Sequence, residues 1–185
     1  ANTLYEPLKF NYTTTESLEG VYGKVHHVHN NKTPVHKKYS LSIKANVPDT
    51  LKNKTYIATT DLKGNFWHLG GSWGNGFLRT KVRELGNFCI VADTTNPEIK
   101  GVNIFPGKRF NTQTTIKCTI KDKDSGIKSY RGEINGKWIL MDYDHKKSLL
   151  RFDIEDNISK GKHIFTLKVI DNVGNSTKYR AEFIY

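Results

Sequence analysis

Three sets of residues in this sequence have types and spacings that could do chemistry. The first is Val25-His26-His27-Val28-His29, where a His-x-His pair on an extended strand would present two imidazoles to one face. Two nitrogens are half of a zinc site, which takes four ligands or three and an open position, so His36 and His68 would have to be brought in. The second set is acidic. Asp122-Lys123-Asp124-Ser125-Gly126 and Asp171-Asn172-Val173-Gly174-Asn175 offer Asp122, Asp124, Asp171 and Asn175, converging near Asp93, as hard oxygen donors of the kind calcium takes. The same residues are what tight turns require, because Asp and Asn side chains bond nearby backbone and Gly supplies positive φ. The third set is aromatic. Phe66-Trp67-His68 and Ser72-Trp73-Gly74 flank a glycine-dense stretch, and an exposed Trp67 or Trp73 there would stack on a sugar ring. Trp73, bracketed by small residues, reads as the surface residue of the two, while Trp67 and Trp138 read as interior. No Gly-x-Ser-x-Gly, phosphate-cradling glycine loop or His-Glu-x-x-His occurs, and the pair Asp142 and Asp144 reads as solvated charge.

Positioning these residues falls to short β-strands. The stretch 88–99, FCIVADTTNPEI, is a strand running into a polar break that ends at Asn96-Pro97. Pro97 cannot sit inside a central ladder and pushes Asn96 toward extended geometry, so one module ends here and another begins, giving domains 1–93 and 94–185. In the first, 8–12, 21–29, 39–45, 55–60, 66–69 and 77–85 read as strands and 70–76 as a loop. The cleanest is 39–45, which alternates with Tyr39, Leu41, Ile43 and Ala45 on one face; no segment has a helical period. In the second, 98–104, 115–121, 127–134, 137–143, 149–154, 163–170 and 179–185 read as strands. Ile116, Cys118 and Ile120 point inward there, and Asn135-Gly136 is a two-residue hairpin signal. Seven short strands without helix make an immunoglobulin-like sandwich. The expected fold class is therefore all-β, two tandem β-sandwich domains, the second immunoglobulin-like.

Bulk properties are consistent with binding rather than nucleic-acid recognition. The 185 residues divide into halves of about 90, each large enough to bury a core. The net charge of +11 is spread evenly, with 12 basic and 7 acidic residues up to Asp93 and 17 and 11 after it. Scattered lysines are a solvated face with weak attraction to an anionic surface, and they are not interleaved with the aromatics as in a nucleic-acid module. No apolar run reaches the ~20 residues of a membrane span. The sequence opens at Ala1-Asn2-Thr3 inside strand-forming residues without a signal peptide, which reads as a mature or truncated piece of something longer. Cys89 and Cys118, one per half, read as buried free thiols.

Read together, Asp122-Lys-Asp-Ser-Gly-Ile127, Ser129-Tyr-Arg-Gly132, Asn135-Gly-Lys-Trp138, Met141-Asp-Tyr-Asp144 and Asp171-Asn-Val-Gly-Asn175 form a motif set. It resembles the C-terminal immunoglobulin-like β-modules of M23-type (LytM/lysostaphin-like) metallopeptidases of Bacteroidetes-type bacteria. The likeness extends into the first half through Asn2-Thr-Leu-Tyr5, Pro34-Val-His-Lys37, Gly71-Ser-Trp73 and Leu85-Gly-Asn-Phe88. In that family a His-x-x-x-Asp element and a later His-x-His hold the zinc. Here His27-Val-His29 matches the later piece superficially, and no histidine precedes His26 to supply the first. The resemblance therefore implies no catalytic residue in this chain and zinc only in a catalytic domain upstream of it. What it implies is a non-catalytic accessory region of a cell-envelope peptidoglycan endopeptidase, periplasmic or outer-membrane-associated, that positions its peptidase against peptidoglycan. The alternative is a free-standing module for envelope glycans or proteins.

Overall fold

The computed structural model describes residues 3–110, 114–154 and 158–185. Ala1 and Asn2, at the strand-forming start of the sequence, lie outside them. The chain divides into two compact units, Ala1–Thr94 and Thr95–Tyr185. Both are built from strands; the described exception is a 3-10 turn at Asp49–Lys54, which follows Pro48. No described helix is long and apolar enough to cross a membrane.

The first unit contains β1 (Tyr12–Thr15), β2 (Val21–Val28), β3 (Tyr39–Lys44), β4 (Thr55–Thr60), β5 (Phe66–His68), β6 (Ser72–Gly74), β7 (Phe77–Val82) and β8 (Gly86–Ala92). They form a five-stranded sheet in the order β1-β2-β8-β4-β5 and a three-stranded sheet β3-β7-β6. The alternation of β3 sends Leu41 and Ile43 inward with Leu78 and Val82 of β7, and these meet Val28, Ile57, Phe88 and Ile90 of the larger sheet in one core. In β8, Cys89 and Val91 are buried as well, so this strand is covered on both faces, as its unbroken apolar run allows.

Two expectations for this unit are corrected. The first strand runs through Tyr12–Thr15 rather than 8–12, because the β-branched Thr13-Thr14-Thr15 pair with β2. The glycine-dense 70–76 is not simply a loop: Ser72–Gly74 pairs with β7 through a two-residue turn at Asn75 (φ 51) and Gly76 (φ 77). Both turn residues need positive φ, which Asn and Gly tolerate, so a hairpin signal lay inside the loop.

The second unit contains β9 (Glu98–Gly101), β10 (Lys108–Arg109), β11 (Thr115–Lys121), β12 (Ile127–Ile134), β13 (Lys137–Ile139), β14 (Asp142–Asp144), β15 (Leu149–Asp153), β16 (Lys162–Asp171) and β17 (Ser176–Ile184). One sheet runs β14-β15-β11-β9 and the other β10-β17-β16-β12-β13. With strands named A to G in chain order, these are an A-B-E-D sheet and a C-F-G sheet, extended by β13 beside C and by β10 parallel to G. That order is immunoglobulin-like. Ile116, Cys118, Ile120 and Leu150 face Phe165, Leu167, Val169, Ala181 and Phe183 across the core.

The single strand expected over 137–143 divides at Leu140-Met141. β13 stays with β12, and β14 crosses to pair with β15.

Candidate functional site

The histidines do not assemble a metal centre. β2 ends at Val28 and His29 takes φ 56, so His27 and His29 do not share a strand face. The imidazoles instead stitch the N-terminal segment to β2. His26 Nδ1 lies 2.8 Å from the Tyr12 hydroxyl and the two rings stack. His29 stacks on Phe10, and His36 meets Tyr5 edge to face. Asn87 donates its amide N–H to Thr60 O, which leaves its Oδ1 to accept from His27 Nδ1 at 2.7 Å. His27 Nε2 is then the acceptor for the Thr15 hydroxyl at 3.0 Å.

Burial, and then the neighbouring His27, hold the His26 pKa below its ordinary 6.5. The unfolded chain takes up that proton more readily than the folded one. Stability is therefore complete above pH 6.5 and is lost as the pH falls past that value through the lower folded pKa. The first sandwich is expected to melt at progressively lower temperature below that pH, with a shallower slope in His26→Gln. An identical slope in the variant would remove His26 as its source.

The acidic loops do meet. Asn172 of the β16–β17 turn donates its backbone N–H to Gly126 O at 3.0 Å and its side-chain amide to Ser125 O at 2.8 Å, which ties that turn to the β11–β12 turn. The carboxylates of Asp122 and Asp171 bring oxygens within 4.8 Å of each other. Each is also the acceptor of its own turn. Asp122 Oδ1 accepts from the N–H groups of Asp124 and Gly126 at 3.2 and 2.6 Å. Asp171 Oδ1 accepts from Val173 and Asn175 at 3.0 and 2.7 Å, and its Oδ2 accepts from the Asn175 amide at 2.7 Å. Asp124 is exposed and enters the turn through its backbone N–H.

The tryptophans are ordered differently from the sequence expectation. Trp73 is half-buried against the first core, and its indole N–H donates to Lys52 O at 3.0 Å and to the Thr55 hydroxyl at 2.9 Å. Trp67 pairs across from Thr59 on the edge strand β5 and is 53% exposed. Trp138, expected in the interior, is 57% exposed. The cause is register: the Asn135-Gly136 turn sets Lys137 opposite Ile134 and Trp138 opposite Glu133. Ile139 then packs on the core and Trp138 must point the other way.

Around Trp138 lies a concave surface of the second unit. Trp138 is joined on the surface by Leu140, 69% exposed, beside a hollow of about 440 Å³ that Ile134, Ile139, Phe152, Ile158 and His163 also line. On the other side of Asn135 and His163 a second hollow of about 390 Å³ is lined by Lys162, Ile164 and Glu182. A hydrogen-bonded bolt separates them. Asn135 Oδ1 accepts from Ile164 N–H at 2.9 Å, so its amide nitrogen donates to His163 Nδ1 at 2.9 Å. His163 Nε2 carries the ring hydrogen and donates to Ser159 O at 2.7 Å. The bolt holds the β12–β13 turn to the start of β16. Sequence reasoning missed this surface, although the Asn135-Gly136 turn contained the register that exposes Trp138.

The two cysteines supply no nucleophile here. Burial pushes both thiols up to about 12, and both side chains are enclosed.

No curated protein matches the sequence. Among solved structures, the chain is similar to the fibronectin(III)-like modules of Clostridium thermocellum CbhA, at 12% identity and a TM-score of 0.38, covering 78% of this chain and 84% of that one. It is also similar to the titin domains z1z2 in complex with telethonin, at 10% identity and a TM-score of 0.37, covering 96% and 98%. A family model described as the Zu5-like domain matches residues 1–93, half of the 185 residues, and the chain therefore belongs to the Zu5-like domain family.

Proposed function

We propose that this chain is a non-catalytic accessory region whose second sandwich binds a partner through the β13 edge. The observation that carries this is the exposed pair Trp138 and Leu140 beside the hollow of about 440 Å³, since a concave apolar surface rimmed by polar groups is where soluble domains take partners. An anionic apolar dye, 1-anilinonaphthalene-8-sulfonate, is expected to fluoresce with the native chain and to lose most of that signal in a Trp138→Ala, Leu140→Ala chain of unchanged melting temperature. Equal fluorescence in both chains would remove the edge as the binding surface.

The finer reading places the chain in the cell envelope, attached to an M23-type peptidase and held against peptidoglycan. Its support is the motif set quoted above. Those motifs fall largely on the turns and strands of the second sandwich, so they speak for the type of module. The peptidase, its peptidoglycan substrate and the envelope location rest on the resemblance alone. Sedimentation with purified peptidoglycan sacculi tests it: the chain should pellet with them at physiological salt. A chain that stays in the supernatant would leave the protein-binding alternative, which the exposed edge favours.

Calcium at the Asp122–Asp171 pair belongs to the same proposal as a stiffener of the two turns. It is supported by the proximity of the two carboxylates.

A further inference from the structure

The two outer faces of the second sandwich arrange their charges differently. On the β14-β15-β11-β9 sheet, the strand positions that point away from the core balance Lys100, Lys117, Lys121 and Arg151 against Glu98, Asp142, Asp144 and Asp153. Opposite charges face each other there, Glu98 across from Lys121 and Asp142 across from Arg151. The like pair on that sheet, Lys117 across from Arg151, is relieved by Asp142 on the far side and by Asp153, which holds the arginine at 2.8 Å. Facing opposite charges stabilise a strand pair, so this is an ordinary solvated face.

The other sheet is not balanced. Outward positions of β12, β16 and β17 carry Arg131, Lys162, Lys168, Lys178 and Arg180 against Glu133 and Glu182. The register sets Arg131 across from Lys168 and Lys168 across from Lys178, one cationic row over three adjacent strands about 4.8 Å apart. Like charges directly opposite cost stability, so folding alone gives no reason for the row. The two acids relieve the arginines and not the lysines. Glu133 holds Arg131 at 2.6 Å and Glu182 holds Arg180 at 3.1 Å. Lys168 and Lys178 have no carboxylate within ion-pair distance among the described residues. Apolar residues stand on the same face. Trp138 shares the next row with Glu133, Thr166 and Arg180. Leu140 points outward after it, since Ile139 and Met141 on either side pack on the core, and Ile164 is exposed on β16.

We propose that this face docks on the surface of a bilayer that carries anionic lipids, with Lys168, Lys178 and the flanking arginines at the lipid phosphates and Trp138 and Leu140 in the interface. The inference rests on the reading of the β13 edge as a binding surface and names what that surface meets. The unrelieved lysine row calls for an anionic occupant, and the apolar residues select among anionic occupants. A soluble polyanion would leave the indole and the leucine in water. A bilayer interface takes both, because tryptophan rings settle at headgroup depth and each Lys or Arg near an anionic leaflet strengthens binding about fivefold. A second copy of this face would set cations against cations, which disfavours self-pairing.

The experiment is co-sedimentation of the full chain with sucrose-loaded vesicles, of phosphatidylcholine alone or of phosphatidylcholine with phosphatidylglycerol. At physiological salt the chain should pellet with the phosphatidylglycerol vesicles and stay in solution with the others, and its tryptophan emission should shift to the blue. Lys168→Gln with Lys178→Gln should weaken that binding about tenfold or more. The same pair should raise the melting temperature slightly, because it relieves facing charges. Lys117→Gln with Lys121→Gln removes equal charge from the balanced face, more than a screening length from the docked one, and should leave binding nearly unchanged. Trp138→Phe should abolish the blue shift. Equal losses in the two lysine pairs would mean attraction by net charge alone and would overturn the docking face. Retention on immobilised heparin through Lys168 and Lys178, without pelleting, would replace the bilayer with a soluble polyanion. No pelleting beside a dye signal that still depends on Trp138 and Leu140 would overturn the lipid occupant and leave the binding surface intact. Absence of that dye signal would remove the surface itself.

Discussion

A Gly101→Ala chain is expected to lose on the order of 3 kcal/mol or more from its second sandwich, about 12 °C or more of melting temperature for a module of this size. A Cβ on Gly101 would overlap the backbone oxygen of Ile104 and come within 2.7 Å of the Tyr179 hydroxyl. That hydroxyl donates to the same Ile104 oxygen at 2.7 Å, so one methyl group must displace a backbone segment and break the bond that ties β17 to it. Backbone cannot rotate away as a side chain can. Gly132 is the comparison. Its added Cβ would lie 2.6 Å from Met141 Sδ and 3.1 Å from Ile139 Cγ1, and the unbranched methionine can swing aside. Gly132→Ala should cost about 1 kcal/mol. Tyr179→Phe, which deletes only the hydrogen bond, should also cost about 1 kcal/mol. Thermal melts of the three variants decide it: equal losses in Gly101→Ala and Gly132→Ala would show that the 98–104 segment yields.

Why some of this was legible in the sequence and some was not follows from the range of the forces involved. The strands Thr55–Thr60, Thr115–Lys121 and Ile127–Ile134 occupy the spans that period-two alternation and flanking turn residues imply, because both signals act within a few residues. The crossing at Leu140-Met141 leaves no such mark. Ile139 and Met141 both point into the core, so alternation continues unbroken while the backbone changes sheets. The hairpin at Asn75-Gly76 was written in residue types that demand positive φ, yet the glycines around it dilute the signal.

The tryptophans show the same division. Neighbouring glycines made Trp73 look exposed, but what decides its position is a backbone oxygen on Lys52 and a hydroxyl on Thr55, partners distant in sequence. Trp138 depends on register, and register follows from a turn two residues away, so its exposure is implicit in the Asn135-Gly136 signal. The surface that now carries the functional proposal was thus hidden by composition and available from turn geometry. The acidic loops sit between these cases. Their turns are local and readable, and their approach follows from immunoglobulin strand order, which sets the β11–β12 and β16–β17 connections at one end.

Asp171→Ala is the second large effect, expected at about 3 kcal/mol. The side chain is fully enclosed and accepts from three N–H groups, those of Val173 and Asn175 and the Asn175 amide. Removing the carboxylate strands those donors, and each buried donor left unmade costs about 1–3 kcal/mol, with partial relief where water reaches Val173. Asp171→Asn keeps the shape and one acceptor oxygen but sets an N–H2 group against the Asn175 N–H2, so it should recover only part of the loss. The same melts separate turn-making from ion binding. If the carboxylate acts as the acceptor of its turn, the Asp171→Ala loss is equal in calcium and in chelator, and the wild-type melting temperature ignores both. If an ion bridges Asp122 and Asp171, calcium raises the wild-type melting temperature and leaves the variant unmoved, with calorimetric heat in the first and none in the second. Asp122→Asn sharpens the choice. It preserves an acceptor oxygen for the N–H groups of Asp124 and Gly126 while removing a charge that a divalent cation needs. A turn-making carboxylate tolerates that exchange, whereas an ion site loses its calcium response to it.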